Sequence, residues 1–159
     1  PVFLRDMQAD DAEHGVALGW PGRVLGGLFG RFVTEKDDPA HRGAINLKHT
    51  GTLPLVEAVR LLALREGVPE TSTRARLVAL RQRNLIDADE TDYLISAFDH
   101  VTTLLLRRQI ADFKAGDPVG NYVHPDTLTA RERDQLVESF KAIRRLRERV
   151  ASDFTGAVF

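Results

Sequence analysis

Two long amphipathic stretches, Asp87 to Lys114 and Thr129 to Phe154, constrain this chain more than anything else in it. Each opens on the spacing of a capping box. Asp87 precedes Glu90 by three residues and Thr129 precedes Glu132 by the same interval, so side-chain oxygens can satisfy the free amides of a first helical turn. Gly116 and Pro118 close the first stretch. Its predicted inward row is Leu94, Phe98, Val101, Leu105 and Phe113; that of the second is Leu136, Phe140, Ile143, Leu146 or Arg147, Val150 and Phe154. A connection of about a dozen residues predicts that the two helices pack antiparallel, with Phe98 and Phe140 both buried.

Shorter elements complete the pattern. Pro54 suits a first helical turn, and Leu55, Val59, Leu62 and Ala63 share a face until Gly67 and Pro69 end it. A second short helix is predicted from Thr73 to Arg83, with Leu77 and Leu80 inward and Asn84 as its stop. Leu4 to His14 reads as an N-terminal helix ahead of the Gly19-Trp20-Pro21-Gly22 loop. Phe32 to Thr34 and Ile45 to Leu47 are brief extended segments around the polar Glu35 to Pro39, a predicted small hairpin that must pack on helices to persist. The predicted fold class is all-α: an up-and-down bundle of about four main helices with a short N-terminal helix and a small β-hairpin.

Composition narrows the functions. A chain of 159 residues is one domain able to bury its own core. Cysteine is absent, which excludes disulfides, thiolate metal sites and cysteine nucleophiles and fits a cytoplasmic setting. A formal net charge of -1 supplies no global field for nucleic acid or an anionic membrane, and no apolar run is long enough to span one. The histidines form no helical i, i+4 pair, so no metal site is expected. Gly26-Gly27 followed by Asp37-Asp38 resembles the metal-binding turn of polymerase-beta-like nucleotidyltransferases only in spacing. Adjacent strand residues point to opposite faces and Pro39 stands where a second carboxylate is needed, so no catalytic residue is assigned and the chain alone is expected to transfer nothing. Lys141, Arg144, Arg145, Arg147 and Arg149 form a basic run expected to be a solvated helix face.

The candidate binding group lies in the run from Ile45 to Leu64. Lys48, His49, Glu57 and Arg60 are predicted to converge there if Gly51 makes a turn that folds the chain back, Glu57 and Arg60 being helical neighbours. Arg107, in the middle of a long helix, would need a carboxylate such as Glu57 or Glu35 if it turned inward, because a buried unpaired guanidinium is costly. Lys48, Arg60 and Arg107 are thus a candidate anion-facing group, and an internal salt-bridge network is the alternative.

The same run, Ile45-Asn46-Leu47-Lys48-His49-Thr50-Gly51-Thr52-Leu53-Pro54-Leu55-Val56, resembles the signature "L-D-L-K-x-x-G-x-x-P-I-V" of the C-terminal substrate-binding domain of nucleotidyltransferase-like bacterial signalling proteins. Further pieces agree from about Leu25 to Phe154: Gly30-Arg31-Phe32, Gly67-Val68-Pro69, Arg107-Arg108-Gln109 and Asn121-Tyr122. Asn46 stands where the pattern usually has Asp, and Leu105 where Arg is common. The resemblance implies a helical accessory module over residues 25–159, after a linker over 1–24 from an upstream nucleotidyltransferase domain, so that the chain, which starts at Pro1, is read as a fragment. It implies magnesium and a nucleoside triphosphate in that upstream domain and none here, a protein acceptor as in protein-PII uridylyltransferases, and companion CBS or cyclic-nucleotide-binding modules. Two alternatives remain: a protein interaction or dimerisation module, the latter giving a homodimer, in a nucleotide-sensing regulator, and a helical ribonuclease using Arg42 and His49, which needs both at a helix start.

Overall fold

The computed structural model describes residues 32–155, and the chain divides into two units, Pro1–Val33 and Thr34–Phe159. The predicted Leu4 to His14 helix and the loop after it lie outside the described residues. In the second unit the order is β1 (Ile45–Asn46), a π-helical turn (Lys48–Thr52), α1 (Leu53–Arg65), α2 (Thr73–Gln82), α3 (Ala88–Ala115), β2 (Tyr122–Val123), a 3-10 turn (Pro125–Thr127) and α4 (Ala130–Thr155). The fold is mostly α, as the sequence predicts.

The helix ends follow the local chemistry. Asp87 accepts the Glu90 amide at 2.7 Å and caps α3. Thr129 and Glu132 form the full reciprocal box before α4, with Thr129 N–H donating to Glu132 Oε2 at 2.8 Å and Glu132 N–H to Thr129 Oγ1 at 3.2 Å. Asn84 takes φ 58° and Gly116 φ 75°, the left-handed conformations that end α2 and α3. Arg149, late in α4, bonds Glu90 at the start of α3, while Glu132 at the start of α4 reaches His100 and Arg107 in the middle of α3. The two long helices therefore run antiparallel.

The α4 row is as expected as far as Val150: Leu136, Phe140, Ile143, Leu146 and Val150 are buried, whereas Phe154, at the end of the row, is only half-buried, with Arg65 over its ring. In α3 the expectation fails at its end. Leu94, Val101 and Leu105 are inside, but Phe98 is only half-buried and Phe113 is 77% exposed. From Leu94 and Val101, helical steps of 3.6 residues arrive at position 112, not 113, so Asp112 takes the inward place and Phe113 turns about 100° away.

Two corrections concern the chain before α1. The antiparallel pair exists, but its partner for Ile45–Asn46 is Tyr122–Val123, in the register Ile45↔Val123 and Asn46↔Tyr122, and residues 32–34 form no strand. The intervening loop closes on itself instead. Glu35 N–H donates to Ala44 O at 2.8 Å, Gly43 N–H to Glu35 O at 2.9 Å, and the Glu35 carboxylate accepts the amides of Lys36, Asp37 and Asp38. These amides, those of Asp37 and Asp38 foremost, hold the Glu35 carboxyl below its ordinary range.

Gly51, secondly, makes no turn. The chain is helical without a break from Leu47 to Arg65, and its first turns are wound wide, with Leu53 N–H reaching back five residues to Lys48 O. Pro54 explains the winding, since its ring would press on the carbonyl four residues earlier in an ordinary α-turn and it has no amide to donate. Gly51 is buried where this turn crosses α3 and α4. A methyl group built on its Cα would stand 2.6 Å from Val101 Cγ1 and 3.3 Å from Phe140 Cε1.

Candidate functional site

Because β1 joins β2 and not the 32–34 segment, side chains far apart in the sequence meet around this pair. Asn46 and Tyr122 are cross-strand partners. The His41 ring, from the loop that Glu35 organises, meets the Tyr122 ring edge-on with centroids 3.9 Å apart, and its Nδ1 lies 3.7 Å from Asp38. Gln109 of α3 donates through Nε2 to Asn121 Oδ1 at 3.2 Å, and Leu47 N–H donates to Asn121 O at 3.0 Å. Asn46 Oδ1 accepts the His49 amide at 3.1 Å, so the residue that departs from the family pattern caps the π-helical turn. Lys48 and His49, in that turn, are exposed beside it. Tyr122, Asn121 and Gln109 are all half-buried. Among the described residues, no hydrogen bond uses the Tyr122 hydroxyl, Asn121 Nδ2 or Gln109 Oε1. Half-buried polar groups left so are placed to meet a ligand or water.

Asp112 holds the patch together from below. Its side chain is almost fully buried, accepts the Gly120 amide at 3.2 Å and pairs with Arg108 at 2.6 Å, pinning the segment that leads into β2. Asp112→Ala should lose about 1–3 kcal/mol of stability, read from urea unfolding, because the Gly120 amide is left without an acceptor. Asp112→Asn keeps an acceptor there and gives up a partly exposed ion pair, so it should cost less than about 1 kcal/mol.

The other predicted site residues are dispersed. Lys48 and Arg60 lie on one continuous helical run, twelve residues and so roughly 18 Å of rise apart. Both are exposed. Glu57 is half-buried and attracts Arg147 of α4, whose guanidinium burial pulls down to about 10 against the opposing pull of Glu57 and Glu148. Arg107 does not turn inward to Glu57 or Glu35: it is half-exposed and bonds Glu132 at 2.5 Å. In the basic run, Lys141 and Arg144 pair along their own helix, while Arg149 reaches across to Glu90 and to Leu85 O. Arg42 sits in the loop before β1 and not at a helix start, so the pair that the ribonuclease reading needs is not assembled.

The Arg107–Glu132 pair has a pH signature. Arg107, with the Thr129 amide and hydroxyl, lowers the Glu132 carboxyl from 4.5 to about 2. A carboxylate depressed on folding contributes stability that is fully present above its unfolded value and is lost as pH falls through the folded one, here between about 4.5 and 2. Arg107→Met should move the Glu132 titration, followed by carbon-detected NMR, back toward 4.5 and flatten the stability profile across that window.

A family model described as "Putative nucleotidyltransferase substrate binding domain" matches residues 1–154. The chain belongs to this family. No curated protein and no solved structure matches it significantly. Three of the pieces that carried the resemblance, around Asn46, Gln109 and Asn121-Tyr122, are the ones that meet at β1–β2 in this substrate-binding domain. Gln109, Asn121 and Tyr122 were not picked as site residues from sequence, although their place in separated pieces of one signature was the available signal.

Proposed function

We propose that the patch around β1–β2 is where this domain holds the acceptor of a nucleotidyl transfer catalysed by a separate domain. The observation that supports this reading is the meeting of three distant signature segments around groups that no hydrogen bond among the described residues uses. A phenol, two carboxamides and the neighbouring Lys48 and His49 can align a polar backbone or side chain with an adjacent negative charge, which suits a protein acceptor of the kind uridylylated in protein-PII uridylyltransferases. Magnesium and the nucleoside triphosphate belong, on this reading, to the catalytic domain.

NMR titration of the chain with protein PII, and separately with UTP and magnesium, tests it. Resonances of Asn46, Gln109, Asn121 and Tyr122 should move with the acceptor and stay still with the nucleotide. Tyr122→Phe should weaken acceptor binding roughly two- to tenfold, the value of one hydrogen bond. Shifts caused by UTP alone would make the patch a nucleotide site. Silence toward the acceptor would remove the reading.

A further inference from the structure

The outer face of α3 carries Leu106, Ile110 and Phe113 at helical spacing, 51%, 53% and 77% exposed. Three large apolar groups in one row make a contiguous apolar patch, and the largest such patch on a domain is often functional. Beside the first half of α3 the same face is occupied: Arg81 and Arg74 of α2 pair with Asp92 and Asp99. The row begins beyond Arg74, near the N-terminal end of α2, and among the described residues no hydrogen bond or ion pair crosses it.

We propose that this row is the seat of the nucleotidyltransferase domain itself, tethered in the same polypeptide, an inference that rests on the acceptor reading above. Two observations favour that occupant over a second copy of the chain. First, the three side chains offer on the order of 300–400 Å² of apolar surface, well under the roughly 800 Å² per partner of a stable complex between separate molecules. A tethered partner, held at millimolar effective concentration, docks on so small a face without a further interface. Second, the row adjoins the patch. Gln109 immediately precedes Ile110, about 100° round the same helix, so a body seated on the row stands beside Gln109, Asn121 and Tyr122. An acceptor on the patch would then face the catalytic domain, which is the geometry that transfer requires.

Residues 1–159 contain no cysteine, so a thiol introduced among them is the only one in this stretch. Lys114→Cys places a thiol at the rim of the row, and its maleimide labelling, located by mass spectrometry, is compared in the isolated chain and in the full-length polypeptide. Labelling should be fast in the isolated chain at every concentration and slowed on the order of tenfold or more in the full-length protein, and Ile110→Glu with Phe113→Glu should restore the fast rate without altering the melting temperature of the isolated chain. Equal rates in the two proteins overturn the proposal. So does slow labelling in the isolated chain, whether it depends on concentration, which marks a second copy, or does not, which marks an internal contact. Tyr122→Phe should leave every labelling rate unchanged, so protection at the row with no acceptor binding at the patch would fail the acceptor reading alone.

Discussion

Phe140→Ala should cost about 3–5 kcal/mol, enough to leave the domain marginal, because a large buried ring is removed from a junction that cannot collapse around the space. The ring is 7% exposed and lies against Gly51 at the crossing of α4 with the π-helical turn. That turn is held by Pro54 from one side and by the Asn46 cap from the other, so it has little freedom to move inward. Denaturant unfolding monitored by circular dichroism gives the number. A midpoint close to that of the parent would mean that Phe140 is not part of the core.

Gly51→Ala tests the same junction by overfilling it. The added methyl meets the γ-carbon of Val101, a β-branched side chain with few rotamers to retreat into, and overpacking of this kind costs about 1–3 kcal/mol. Alanine gains roughly 0.5–1 kcal/mol over glycine within a helix, which offsets the clash only in part. The net change should be destabilising. Placed in a Val101→Ala background, the same substitution should become neutral or stabilising, since the colliding carbon has gone and only the helical preference remains. The double-mutant cycle measures that coupling directly, and additive effects would show that the crossing is looser than it looks.

The elements that were legible in the sequence are those fixed by local chemistry. Asp87 with Glu90, Thr129 with Glu132, Asn84 and Gly116 each act within a few residues of themselves, and all mark the ends that they were read to mark. The inward row of α4 was legible because its apolar residues keep a 3.6-residue step over the whole length. The row of α3 was not, because Phe113 is the more apolar residue but Asp112 is in phase, and phase wins once a carboxylate finds an amide and a guanidinium. Gly51 was misread since glycine serves turns and close helix crossings alike, and only the tertiary partners Val101 and Phe140 distinguish the two. The partner of β1 could not be read at all, because a strand of two residues carries no pattern by which to choose among short extended segments. Because Gly51 was read as a turn and Arg107 as facing inward, Lys48, Arg60 and Arg107 were grouped as one anion-facing set, although an unbroken helical run separates the first two and Glu132 engages the third.

The pairing of β1 with β2 also bears on when the proposed acceptor patch comes into being. Ile45 and Val123 are separated by roughly 80 residues of chain, most of them helical, and joining them closes a loop nearly as long as the one that Arg65 closes with Asp153. Such a contact is entropically costly until α3 has already brought its two ends near each other, so it belongs to the closing stage of folding and not to its nucleus. A population with all four helices formed but β1 and β2 apart would look native by far-ultraviolet circular dichroism and still lack the patch proposed to hold the acceptor. On the proposed reading, readiness to bind would be a report that the whole bundle has closed.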